Sequence, residues 1–161
     1  MNLLSEIISK PVLNLYSGKI EGTVKDAIFD STFKKIQFLK IFDDDEEEYL
    51  LSTAKIYSVG SSSLVIRNSE ALLLDTEESK ENNPINFEIF SSAGDSLGTL
   101  LDIELENNFE VKNLITQDGS IPQSNIVNIS KIIIVNNTDK KIKFSNFKPK
   151  FKKGNTVSTN K

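Results

Sequence analysis

Tyr16-Ser-Gly-Lys-Ile-Glu-Gly-Thr-Val-Lys-Asp26 and Ser92-Ala-Gly-Asp-Ser-Leu-Gly-Thr-Leu-Leu-Asp102 are two versions of one segment. Laid one over the other, Gly18, Gly22, Thr23 and Asp26 fall on Gly94, Gly98, Thr99 and Asp102, and Val24 falls on Leu100. Four identities at fixed spacing within nine residues mark an internal duplication. A repeat of this kind makes the fold one small module used twice.

The flanks extend the match. Val12–Tyr16 is set against Asn86–Phe90, Asp30–Phe33 against Glu106–Phe109, and, after a shift, Leu51–Ile56 against Ile121–Ile126. Each copy reads as short strands punctuated by turns. Val12–Tyr16 alternates apolar and polar residues, as a half-buried strand does. Gly18 and Gly22 bracket a turn that needs positive φ or a close backbone approach. Thr23–Phe29, Lys35–Phe42, Tyr49–Leu51 and Ser63–Ile66 supply further strands, and the second copy ends in Lys131–Val135. Short strands at this spacing predict an all-β protein of two tandem small barrels with little helix. Leu3, Leu4, Ile7 and Ile8 fit one or two amphipathic helical turns, a lid on the first barrel. Glu77-Glu-Ser-Lys-Glu-Asn-Asn-Pro84 is charged and closed by proline, which suits a linker. The expected organisation is therefore 1–76 first barrel, 77–83 linker, 84–138 second barrel and 139–161 a basic, partly disordered C-terminal tail. Barrels of this size bury little surface, so the two are expected to pack together or the protein to form a homodimer.

The run Lys10-Pro-Val12, then Gly18-x-x-x-Gly22-x-Val-x-Asp26-x-x-x-Asp30 and an apolar strand, resembles the PRC-barrel signature. Ile121-Pro-Gln-Ser-Asn-Ile126 is similar to that family's proline-containing strand. The likeness covers roughly 5–68 and 84–136. It departs at Ser52, where the proline is missing, and at Asp43–Glu48, an acidic insertion. The family includes small bacterial proteins, the cytoplasmic domain of the photosynthetic reaction centre H subunit and the C-terminal domain of the ribosome maturation factor RimM. The resemblance implies protein binding or assembly, not catalysis.

Composition narrows the chemistry in the same direction. The 161 residues include no Cys and no His. Thiolate chemistry, disulfides, imidazole general bases and the commonest metal ligands are thereby excluded. No enzyme activity, cofactor or metal is expected. The N-terminal decapeptide lacks a basic start and a continuous apolar stretch, so it does not read as a signal peptide. No apolar run is long enough to span a membrane. A cytoplasmic location is the expectation.

The candidate residues each have a structural explanation. Gly18, Gly22, Asp26, Gly94, Gly98 and Asp102 recur in both copies, as fold-making residues do and a single active site does not. Asp26 is expected to accept hydrogen bonds from the neighbouring glycine turn. Asp26 and Asp30 could mimic a paired-carboxylate site, but Asp30 opens a hairpin turn. Asp43-Asp-Asp-Glu-Glu-Glu48 lacks the glycine and alternate ligands of a calcium loop and reads as a solvated, flexible charge run. Ser61-Ser-Ser63 after Gly60 lacks the lysine of a phosphate loop.

The net charge of −4 conceals an asymmetry: residues 1–138 carry −11 and residues 139–161 carry +7. In that tail, Lys140, Lys141, Lys143, Lys148, Lys150, Lys152 and Lys153 interleave with Phe144, Phe147 and Phe151. Lysines meet phosphates and aromatics stack on bases, so the tail is the candidate site for RNA or another polyanion. Its alternative is a terminal strand followed by a solvated end. Arg67 is the sole arginine, which serves bidentate phosphate recognition poorly. The expected function is a non-catalytic protein-binding or assembly module, with an RNA- or ribosome-associated factor as the alternative.

Overall fold

The computed structural model describes residues 2–76 and 82–136. The fold is all-β, with curled sheets that form half-barrels. The chain divides into two compact units: the first holds Met1–Asn83 with Leu105–Val111, the second Pro84–Glu104 with the chain from Lys112 onward.

The first unit begins with β1 (Asn2–Leu3) and a single helical turn, α1 (Leu4–Ile7), whose Leu4 and Ile7 are buried. The Leu3 N–H donates to the Glu6 carboxylate at 2.9 Å, which caps the turn. There follow β2 (Pro11–Asn14), β3 (Ile20–Phe29), β4 (Ile36–Phe42), β5 (Glu48–Ser52), β6 (Ile56–Val59), β7 (Leu64–Ile66) and β8 (Leu72–Leu74). Short 3₁₀ turns, Thr53–Lys55 and Ser69–Ala71, precede β6 and β8. One sheet holds seven of these strands in the order β6-β7-β2-β3-β4-β5-β8. Every pairing in it is antiparallel except β2 with β7. Val12, Val24, Ala27, Ile36, Leu39, Ile41, Leu51, Leu64 and Ile66 face inward and are almost wholly buried.

The second unit contains β9 (Glu88–Ser91), β10 (Ser96–Thr99), β11 (Asp102–Leu105), β12 (Val111–Thr116), β13 (Gly119–Pro122), β14 (Ile126–Ile129) and β15 (Ile133–Val135). β10-β9-β15-β14 form one sheet, and β11, β12 and β13 pair in sequence in another. The continuous ten-residue β3 of the first unit is here broken in two. Gly98 at φ +95 and a register shift between Ser96 and Thr99 interrupt the ladder.

The two units share strand registers. β2 lies parallel to β7, with Val12, Leu13 and Asn14 opposite Leu64, Val65 and Ile66. β9 lies parallel to β15, with Ile89, Phe90 and Ser91 opposite Ile133, Ile134 and Val135. The hairpins β6–β7 and β14–β15 match down to a register shift in the same place. These registers correct the flank alignment: Val12–Asn14 corresponds to Ile89–Ser91, not to the residues beginning at Asn86. The turns account for one residue of this three-residue slip. Gly18 N–H closes on the Asn14 carbonyl four residues back, whereas Gly94 N–H closes on Ser91 only three residues back.

The expected boundaries also meet a different partition. Leu105–Val111, assigned by sequence to the second copy, sorts with the first unit. There the Ile36 N–H donates to the Phe109 carbonyl at 3.0 Å and the Val111 N–H to the Lys34 carbonyl at 2.8 Å, while Phe109 and Val111 are buried. Of the expected linker, 77–81 lie outside the described residues. Asn82 is fastened to β3: its side chain accepts from the Phe29 N–H at 2.8 Å and donates to the Phe29 carbonyl at 2.9 Å. The tail, from 137 onward, also lies outside the described residues.

Two glycines of the repeat serve different needs. Gly18 has φ +73 with open space around it. At Gly22 a Cβ would stand 2.4 Å from the Phe42 carbonyl oxygen, on the neighbouring strand. Gly18→Ala therefore meets only backbone strain, about 1–2 kcal/mol. Gly22→Ala must push two paired strands apart, about 2–3 kcal/mol. Urea denaturation of the two variants should show the larger loss for Gly22→Ala; equal midpoints would contradict the close approach.

Candidate functional site

Within each unit the repeated residues are taken up by turns and strands. Gly18 and Gly94 turn the chain after β2 and β9, and Asn14 and Ser91, both 4 % exposed, cap those turns. The Asn14 carboxamide oxygen accepts from the N–H groups of Tyr16 and Ser17, and the Ser91 hydroxyl accepts from those of Ala93 and Asp95. Asp26 and Asp102 each accept from the next residue's N–H, Ala27 at 2.7 Å and Ile103 at 2.8 Å. The expected bond from Asp26 to the glycine turn is thus replaced by a local one, joined by the Asn83 side-chain amide at 2.9 Å. Asp30 is a turn residue, accepting from the Lys34 N–H at 2.8 Å and the Thr32 hydroxyl at 3.2 Å. Among the described residues no three carboxylates come together to hold a metal ion. The candidate lysines Lys140, Lys141, Lys143, Lys148, Lys150, Lys152 and Lys153 lie outside the described residues.

In the acidic run, Asp44, Asp45, Glu46 and Glu47 are exposed, and Asp43 bonds the turn they form. The Asp43 carboxylate accepts from the N–H groups of Asp45 and Glu47, both at 2.9 Å, and Glu46 takes φ +61 to complete the turn. The last acid, Glu48, belongs to β5 and forms an ion pair with Lys40 at 3.1 Å. Lys40 is a lysine 3 % exposed in the middle of β4. The register Lys40↔Leu50, against Ile115↔Ser120 in the second copy, gives Lys40 an apolar counterpart, Ile115. A buried ammonium requires a counter-charge, whereas an apolar side chain at the same place does not. Glu48→Gln should therefore cost about 2 kcal/mol. Lys40→Met should cost less, and denaturant titration of both variants orders them.

Half-buried Tyr49 sits beside this loop. Burial, then the charges of Asp43 and Glu47, with a hydrogen bond to Asp43, push its phenol above the ordinary 10.0. The native state therefore holds the phenolic proton more tightly than the unfolded chain. That contribution to stability is whole below 10.0 and is lost as pH rises through the folded value. In an ultraviolet phenolate titration, Tyr49→Phe should remove a step lying above 10.0, and Asp43→Asn should move that step down.

A second charged feature lies beside the two 3₁₀ turns. Ile56 pairs with Ile66 and Leu51 with Leu72, so the two 3₁₀ turns, Thr53–Lys55 and Ser69–Ala71, come to face one another. Between them lies an open groove of ≈ 490 Å³, lined by Lys55, Tyr57, Arg67, Asn68 and Glu70 among others. The Arg67 guanidinium lies 4.8 Å from the centroid of the Tyr57 ring. Such stacking holds the planar cation in place while leaving its N–H donors outward. Neither Arg67 nor Lys55 forms an ion pair among the described residues. Asn68 is occupied in capping, its side-chain oxygen accepting from the Glu70 N–H at 2.9 Å. Tyr16, 88 % exposed, is brought beside Arg67 by the fold, its N–H bonded to the Arg67 carbonyl at 3.0 Å.

Sequence reasoning noted Arg67 only as a lone arginine and missed the groove. Register is the signal that would have found it. Because Ile56 is opposite Ile66 and Ile126 opposite Val135, the counterparts of Lys55, Tyr57 and Arg67 are Asn125, Val127 and Asn136. The second copy has neither cation nor ring at these places. Compared with known proteins, the chain matches no protein-family model and no curated protein. Among the described residues, no helix is long and apolar enough to cross a membrane.

Proposed function

We propose that the chain is a tandem of two PRC-type barrels acting as a non-catalytic protein-binding or assembly module in the cytoplasm. The observation that carries this reading is the use of the polar residues common to both copies. Asn14 and Ser91, Asp26 and Asp102, and Asp30 all have their side-chain oxygens on nearby backbone N–H groups of turns and strands. They hold the frame, and polar groups so engaged are poorly placed to act on a substrate. The surface that distinguishes the first copy, the groove at Arg67, presents a cation and a ring, a combination enriched where proteins meet. The family resemblance, with its implication of assembly, supports the same reading.

A second reading rests on the tail, where seven lysines alternate with three phenylalanines between Lys140 and Lys153. That composition suits RNA or another polyanion. Removing residues 137–161 separates the two. A protein-binding module keeps its protein partner after the truncation. An RNA-associated factor loses its retention on heparin, and before truncation its RNA binding falls steeply as salt rises.

A further inference from the structure

We infer that the groove between Lys55–Tyr57 and Arg67–Glu70 binds an extended, carboxylate-bearing polypeptide segment that adds to the outer edge of β6. The inference rests on the protein-binding reading above and names the kind of partner. Three observations carry it. The first is charge. Arg67 and Lys55 line the same groove with no ion pair among the described residues. Arg67 is also held in position by the Tyr57 ring, 4.8 Å away. A pre-positioned guanidinium fits the planar, bidentate geometry of a carboxylate.

The second is the open strand. β6 is the terminal strand of the seven-stranded sheet, paired only with β7 among the described residues. Tyr57 is half exposed and Ser58 is exposed. An unpaired edge offers a row of backbone donors and acceptors to any extended chain. A peptide seated there would run past Lys55 and Tyr57 and bring its side chains to Arg67.

The third is divergence within the molecule. The second copy repeats the hairpin register but replaces the three residues with Asn125, Val127 and Asn136. The fold therefore does not require Lys55, Tyr57 and Arg67 at these places. Glu70 on the opposite rim argues against a nucleic acid, because a continuous line of phosphates would meet its carboxylate. A peptide with spaced carboxylates avoids it.

The test uses the full chain and three fluorescent probes: an extended peptide alternating Glu with Val and Thr, the same peptide with Gln for Glu, and a single-stranded RNA. The acidic peptide should bind at low salt, and the Gln peptide at least about tenfold more weakly, as expected for losing charge-assisted hydrogen bonds. Arg67→Gln should weaken the acidic peptide by about tenfold and Arg67→Lys by less, since lysine keeps the charge but not the fork. Methylating alternate backbone amides of the peptide, which leaves its charge intact, should abolish strand addition and weaken binding similarly. Lys112→Gln, on β12, should change nothing.

Equal binding of the Glu and Gln peptides, no effect of Arg67→Gln, or RNA displacing the peptide would each overturn the assignment. So would binding of the methylated peptide at full strength, or self-association of the chain that Arg67→Gln abolishes while the peptide fails to bind. A native partner captured equally by the wild type and Arg67→Gln would leave the module reading standing and refute the groove. A chain that captures RNA alone would refute the module reading itself.

Discussion

In each unit an early strand lies parallel to a late one: Val12–Asn14 beside Leu64–Ile66, and Ile89–Ser91 beside Ile133–Val135. A parallel pair cannot be closed by a tight turn, so the chain between its members must travel and return. In both units that travel is spent on antiparallel hairpins, which curl away from the first strand and come back to it. Where the first strand stops is fixed by a buried polar residue, Asn14 or Ser91, whose side chain bonds the turn that follows. With the strand end fixed there, Leu15 N–H meets the Ile66 carbonyl and Ser92 N–H meets the Val135 carbonyl, both at 2.8 Å, and the late strand is held in register. The placement of the 3₁₀ turns, and of the groove between two of them, follows from that register.

The fold class was legible because the recurring segments 16–26 and 92–102 concentrate glycines and turn residues at fixed spacing, and these read directly as backbone requirements. The strand flanking the repeat was legible in kind but not in register. A loop one residue shorter in the second copy shifts its alignment, and alternation alone is too weak to detect a slip. β6 and β8 were missed for another reason. Ile56–Val59 and Leu72–Leu74 each lie beside a 3₁₀ turn at the rim of the sheet, where exposed side chains blur the period of two. Nor could composition show that the hairpin Leu105–Val111 completes the first unit, since two long-range backbone bonds decide it.

The site was less legible than the fold. Local chemistry pointed to the acidic run and the lysine tail, because charge density is visible without knowing what lies nearby. Arg67 and Tyr57 are ten residues apart and meet only because β6 and β7 form a hairpin with a register shift between Ile56 and Ser58. The acidic run likewise has partners that its own composition does not show. The repulsion argument is sound for six like charges in isolation, but here Asp43 is recruited by the turn and Glu48 by Lys40.

The differences between the copies then take on a consistent sense. At equivalent positions the first copy has Lys40, Tyr57 and Arg67 where the second has Ile115, Val127 and Asn136. Each second-copy residue is the simpler solution for a curled sheet, since none demands a counter-charge or a stacking partner. Lys40 is the most costly departure, because burying an ammonium in a β-sheet lowers stability unless a carboxylate is held beside it. Glu48 is placed there by its pairing with Phe42 across β4 and β5, directly after the turn that Asp43 bonds. The charged pair and the cationic groove both lie in the first unit, and the equivalent positions of the second unit need neither.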